Sequence, residues 1–230
     1  MIQDYLDRLS RELDFDRSLS RCVRQEVEDH LWEAVSAGAA EDSLAAQRRA
    51  IADFGDARMI AAQFAVVSLA RRSRRAGLAA VLVIAAVFVA MKGRIAWYAA
   101  TELAMSDDLR AFGTAVSLID RYAFLSALMI GLGGWIYIRS RQIPATFHPS
   151  YRRQLGRFFL LCGTTAAALV VSVISDGVLT ALRLRGTGLS AMSLVPILSI
   201  AIEIACVWFL IVHIRGVTHR AASTAELSKT

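Results

Sequence analysis

Four apolar stretches fill most of the chain after residue 75, and they restrict the fold more than any other feature of it. A backbone placed in hydrocarbon must satisfy its own hydrogen bonds, so single apolar segments of this length cross a bilayer only as helices. The first, residues 76–91, has 16 uncharged residues. At the helical rise it spans about 24 Å, short of a hydrocarbon core of about 30 Å. Lys92 and Arg94 are expected to snorkel to the interface, with Trp97 and Tyr98 anchored there. The other spans are read as residues 122–138, 158–182 and 189–214. The link around residues 183–188 is so short that the last two spans must be antiparallel neighbours.

A basic run, Arg-Arg-Ser-Arg-Arg at residues 71–75, separates these spans from what precedes them. The overall charge of +6 conceals a split at this run. Residues 1–70 hold 13 acids and 8 bases, whereas residues 71–230 hold 7 acids and 18 bases. The acidic part is not a nucleic-acid binder on charge. The basic excess lies beside membrane spans, where the positive-inside rule accounts for it without direct nucleic-acid contact. With both termini in the cytoplasm, the inner flanks collect twelve bases and the outer side six, Arg94 among them. The expected topology is therefore a multi-pass protein of a bacterial inner membrane with N- and C-termini cytoplasmic. The outer loop, residues 99–120, is too short for a folded sensor domain. Its apolar part, residues 111–119, lies along the interface or lengthens the second span.

Residues 4–70 read as consecutive short helices. Leu6, Leu9 and Leu13 form one apolar stripe, and after a break at residues 15–17 Val23, Val27 and Leu31 recur every four residues. Ala37-Gly38-Ala39-Ala40 ends that helix. A third helix starting near Asp42 carries Leu44, Ile51 and Phe54. Gly55 suits the left-handed position that stops it, and Asp56 can cap a fourth helix with Ile60, Phe64 and Val67. The expected fold is all-α, with an N-terminal cytoplasmic bundle of three to four short helices and four transmembrane helices. Its parts are a module at 1–70, a basic boundary at 71–75, a membrane domain at 76–214 and a polar cytoplasmic tail at 215–230.

Two strings in the module are similar to a known family. Glu26-Val27-Glu28-Asp29-His30-Leu31-Trp32-Glu33 resembles the E-hydrophobic-x-x-H-L-x-E core of HAAS domains and the related permease-prefix domains. Ala50-Ile51-Ala52-Asp53-Phe54-Gly55-Asp56, followed by Ile60, Ala61 and Phe64, resembles their closing segment, and Tyr5-Leu6-Asp7-Arg8-Leu9 fits the opening. The resemblance covers about residues 3–66. It implies a small helical cytoplasmic domain attached to bacterial membrane proteins. Such proteins include small multi-span ones associated with PadR-type transcriptional regulators, and macrolide-exporter-like permeases. It implies no catalytic residue. The permease architecture needs a far longer chain with a large extracytoplasmic domain, so the regulatory branch fits the size better.

No enzyme is expected. HExxH, GxSxG, Walker A and GxGxxG patterns are absent, the four histidines are scattered, and Cys22, Cys162 and Cys206 show no CxxC spacing. No metal or cofactor is implied. His30, with Glu26 and Glu33 four residues before and three after it, reads first as a packing or hydrogen-bonding residue. Glu26, Asp29, His30, Trp32 and Glu33 are the candidate partner-binding residues. Within the spans, Glu203 and Asp176 are the notable polar groups. An ionised carboxylate at mid-membrane costs a few kcal/mol or more (roughly 2.5–3.5 on insertion scales). Glu203 is expected to bond a hydroxyl such as Ser172 or Thr165, and Asp176 to pair with Arg183 or Arg185. Gly131, Gly133, Gly134 and Gly163 offer small faces for helix contact, and Pro196 can kink the last span. The expected role is regulation by protein–protein contact, the module holding a cytoplasmic partner such as a transcription or sigma factor. The rival role is an accessory subunit of a transporter or export complex. Assembly into an oligomer or larger membrane complex is compatible with both.

Overall fold

The computed structural model describes residues 1–37, 43–102, 107–140, 149–185 and 191–227. Among the described residues the only regular structure is helical. The elements are α1 (Ile2–Glu12), α2 (Arg17–Ala37), α3 (Ser43–Phe54), α4 (Ala57–Ala100), α5 (Asp107–Arg139), α6 (Pro149–Leu184) and α7 (Ala191–Leu227). They form two compact units. One comprises Met1–Ser73 with the described parts of Gln142–Gln154 and Val217–Thr230, and the other Arg74–Arg141 with Leu155–Gly216.

The first unit is built around α1. Ile2, Tyr5, Leu6, Leu9 and Leu13 are all buried, so nearly every apolar side chain of this short helix faces inward. Val23, Val27 and Leu31 of α2 meet them at the predicted four-residue spacing. On α4 the inner face is Ala57, Ala61 and Ala65, whose small side chains let the helix approach closely. Ile60 and Phe64 pack at the margin of this core. Ala46 and Ala50 form the inner face of α3, whereas Leu44, expected in its core stripe, is 54% exposed. The predicted polar tail continues α7 as helix through Leu227, and Leu227 packs against the same core.

The local stops follow from individual residues. Asp16 caps α2, its carbonyl accepting the Ser20 N–H at 2.8 Å and its Oδ1 the Leu19 N–H at 3.3 Å. Gly55 has φ of +103°, a left-handed position that ends α3, and its N–H reaches the Ile51 carbonyl at 3.1 Å. The Gly55 carbonyl accepts the Tyr5 hydroxyl at 3.1 Å, tying α1 to this corner. Burial, reinforced by the Asp56 carboxylate, pushes the Tyr5 pKa above its usual value and keeps that hydroxyl a donor. Asp56 then caps α4 through the Arg58 N–H at 3.3 Å.

No break occurs at residues 71–75. Arginine is a good helix former and neither glycine nor proline intervenes between Asp56 and Gly77. The fourth helix of the module and the first span are therefore one helix of 44 residues. Four helices, α4 to α7, are long and apolar enough to cross a membrane. Residues 111–119 lengthen the second span as part of α5. Pro196 lies inside α7.

In the second unit Ala80, Ile84 and Val87 of α4 pack with Phe124 and Ala127 of α5, Leu169 and Val173 of α6, and Val207 and Leu210 of α7. Gly131 sits where three helices meet. A Cβ built there would lie 2.5 Å from Ile84 Cδ1 and 3.1 Å from Thr165 Cγ2. One at Gly134 would make ordinary contact with Leu161, and Gly133 and Gly163 have open space. Gly131→Leu should therefore destabilise this unit by about 1–3 kcal/mol through overpacking. Gly163→Leu should leave thermal unfolding in mild detergent nearly unchanged.

Candidate functional site

Two groupings of polar residues stand out, one in each unit. In the membrane-type unit Arg94 is only 1% exposed. It does not snorkel, as the sequence suggested; its guanidinium turns into the bundle. Nη2 bonds Asp176 Oδ2 of α6, and Nη1 lies 3.0 Å from Glu203 Oε1 of α7. One planar fork thus joins three helices, which suits arginine better than lysine. The hydroxyl partners differ from those expected as well. The Ser199 Oγ lies 3.0 Å from the Ala90 carbonyl and 3.3 Å from Glu203 Oε1, with one proton to donate to either, whereas Ser172 donates to Asp120 Oδ1 at 2.6 Å. Arg183 stacks over the Tyr98 ring at 4.4 Å instead of pairing with Asp176, and the Tyr98 and Thr180 hydroxyls meet at 2.8 Å. Glu203 is fully buried, and its Oε2 has no hydrogen-bond partner among the described residues.

The arrangement explains how four charged or ionisable groups tolerate these helices. A lone buried ion is expensive; the Arg94–Asp176 hydrogen bond recovers part of that cost, and Glu203 meets Arg94 Nη1 as an ion pair without a hydrogen bond. The arrangement also fixes the rotation of α4, α6 and α7, because each contributes one member. Chemically the cluster is a lock between helices. No group of three metal-binding side chains occurs among the described residues.

In the first unit, Glu26, Asp29, His30, Trp32 and Glu33 all lie exposed on α2, while Val23, Val27 and Leu31 point into the core. The helical repeat makes these two faces complementary. His30 is therefore a surface residue and not a packed one, with Nδ1 3.8 Å from Glu33 Oε2. Trp32 is 44% exposed, and nothing in its own unit covers it fully.

A third feature had no signal beyond a break in periodicity. Asp16 is 4% exposed, and its Oδ2 receives Arg72 at 2.6 Å and Arg220 at 3.4 Å. The turn between α1 and α2 is thereby bound to the basic run of α4 and to the end of α7. Asp16→Ala removes the cap and both ion pairs. Both arginines are about one-third exposed and can rehydrate. The expected cost is about 1 kcal/mol for the cap and about 1 kcal/mol for the pairs. Asp16→Asn keeps the cap and should lose roughly half as much in a thermal melt.

The described geometry is thus that of an all-α chain with four helices of membrane-spanning length and a small N-terminal helical module. That module is a HAAS domain: residues 4–63 match the family described by that name. No curated protein and no solved structure matches the chain.

Proposed function

We propose that this protein is a membrane-anchored regulator acting by protein–protein contact. In this reading the HAAS domain holds a cytoplasmic protein, a transcription or sigma factor or a partner of that kind. The four spans anchor it in a bacterial inner membrane with both termini in the cytoplasm. The observation that carries the reading is the outer face of α2. It presents three carboxylates, a histidine and a half-exposed tryptophan on a helix whose opposite face is locked in the core. Exposed tryptophan is enriched among residues that dominate binding energy, and the surrounding acids favour a basic counterpart. The occurrence of HAAS domains on membrane proteins associated with transcriptional regulators supports the same direction. The Arg94 lock suits an anchor, since it makes the spans rigid without opening a path.

Affinity purification of the full chain from mild detergent tests this. A transcription or sigma factor should be recovered with the wild type and lost with Trp32→Ala combined with Glu33→Lys. Recovery of an ATPase or permease would favour the accessory-subunit role instead.

A further inference from the structure

A cleft of about 790 Å³ opens between α4, α5 and α6 of the second unit, in the size range of small-molecule and lipid sites. Its lining is graded. Ile84, Ala85, Phe88, Leu125 and Leu128 make one end apolar, whereas Arg94, Tyr98, Asp120, Arg121 and Arg183 gather at the other. The gradient follows from chain direction: α4 and α6 run toward this ionic end and α5 starts from it. Arg94 lies only six residues, about 9 Å, from the end of α4, so the ionic end is near one membrane surface. The apolar end is open sideways, with Phe88 42% and Leu125 44% exposed.

The charge of the cleft selects its occupant. Four bases line it, Lys92, Arg94, Arg121 and Arg183, against Asp120 and Asp176. Asp176 and Arg94 are engaged with each other and with Glu203, and Asp120 with Ser172, so the charges left to meet an occupant are Lys92, Arg121 and Arg183. Lys92 and Arg121 are exposed at the rim, Lys92 resting its ammonium 5.5 Å above the Phe88 ring. We infer that this cleft binds an anionic phospholipid of the bilayer, one acyl chain lying along Phe88, Leu125 and Leu128 and the phosphate meeting Lys92 and Arg121. A zwitterionic lipid presents the same chain but cancels the attraction with its own ammonium. A partner's transmembrane helix would fill the apolar end and leave the rim bases without a counter-charge.

The full chain, purified in mild detergent and titrated with phosphatidylglycerol or phosphatidylcholine, is read by native mass spectrometry. Wild-type protein should retain one phosphatidylglycerol at least fivefold more than phosphatidylcholine. Lys92→Gln with Arg121→Gln should bring the two near parity. Leu128→Trp, which fills the apolar end, should reduce retention of both, a result that non-specific surface lipid would not give. Both variants touch exposed or rim positions, and the melting temperature of each checks the bundle; Arg121→Gln alone serves if the pair is unstable. Equal retention of the two lipids by wild type, or retention unchanged in these variants, overturns the assignment. So does a photoreactive residue at Leu125 that yields only protein-sized adducts in native membranes.

Discussion

Arg94→Gln should cost the membrane-type unit about 3–5 kcal/mol, the range for breaking a buried ion pair by removing one partner. Two carboxyl groups, Asp176 and Glu203, lose their shared guanidinium at once, and Glu203 has no exposed surface through which water could compensate. The thermal midpoint in detergent should fall sharply. Arg94→Lys keeps the charge but cannot serve both acids in the same planar geometry, so it should fall between. Glu203→Gln should cost much less, about 1 kcal/mol, because Asp176 still neutralises Arg94. The triple change Arg94→Gln, Asp176→Asn and Glu203→Gln should recover most of the lost stability, since neutral amides preserve shape without a stranded charge. Wild-type melting of Arg94→Gln would show that the three groups do not hold the helices together.

The second large effect belongs to the HAAS domain. Leu31 of α2 is fully buried in the core it shares with residues of α1, α3 and α4, so Leu31→Asp places an unpaired carboxylate in a small core. The expected loss is about 4 kcal/mol or more, comparable with the whole stability of many small domains. Hydrogen exchange on the full chain should show α1 to α3 unprotected while α5 to α7 remain protected. Leu44→Asp is the matched control. Leu44 shares the apolar pattern that marked Leu31 but is exposed, so the change should stay within about 0.5 kcal/mol of wild type.

That contrast shows where sequence periodicity succeeds and where it stops. Val23, Val27 and Leu31 were legible because a helix packed on one side repeats every 3.6 residues. Gly55 and Asp56 were legible because ending one helix and starting another needs a left-handed position and a cap. Leu44 misled because α3 presents Ala46 and Ala50 to the core, and alanine carries little pattern. The spans and their intramembrane acids could be read from composition. Their partner could not: Arg94 is separated from Asp176 by 82 residues of chain, and it follows an apolar run so short that snorkelling was the cheaper reading. Asp16 was hidden for the same reason. Its cap is local, but Arg72 lies 56 residues away and Arg220 on the last helix, and local sequence carries no trace of either. The exposed set on α2 lay within the family string, and periodicity marked Leu31 as core, but only the fold puts His30 on the surface and not in a packed position.

The claim that this protein works by contact through its HAAS domain is tested most directly by a photoreactive amino acid placed at Trp32 in the full chain and activated in living cells. One discrete protein adduct is expected at Trp32. That adduct should disappear when Glu26 and Glu33 are changed to lysine, and it should be absent when the photoreactive residue is moved to Met59, an exposed position on α4. A Trp32 position that captures nothing, or captures the same adduct after charge reversal, would contradict it.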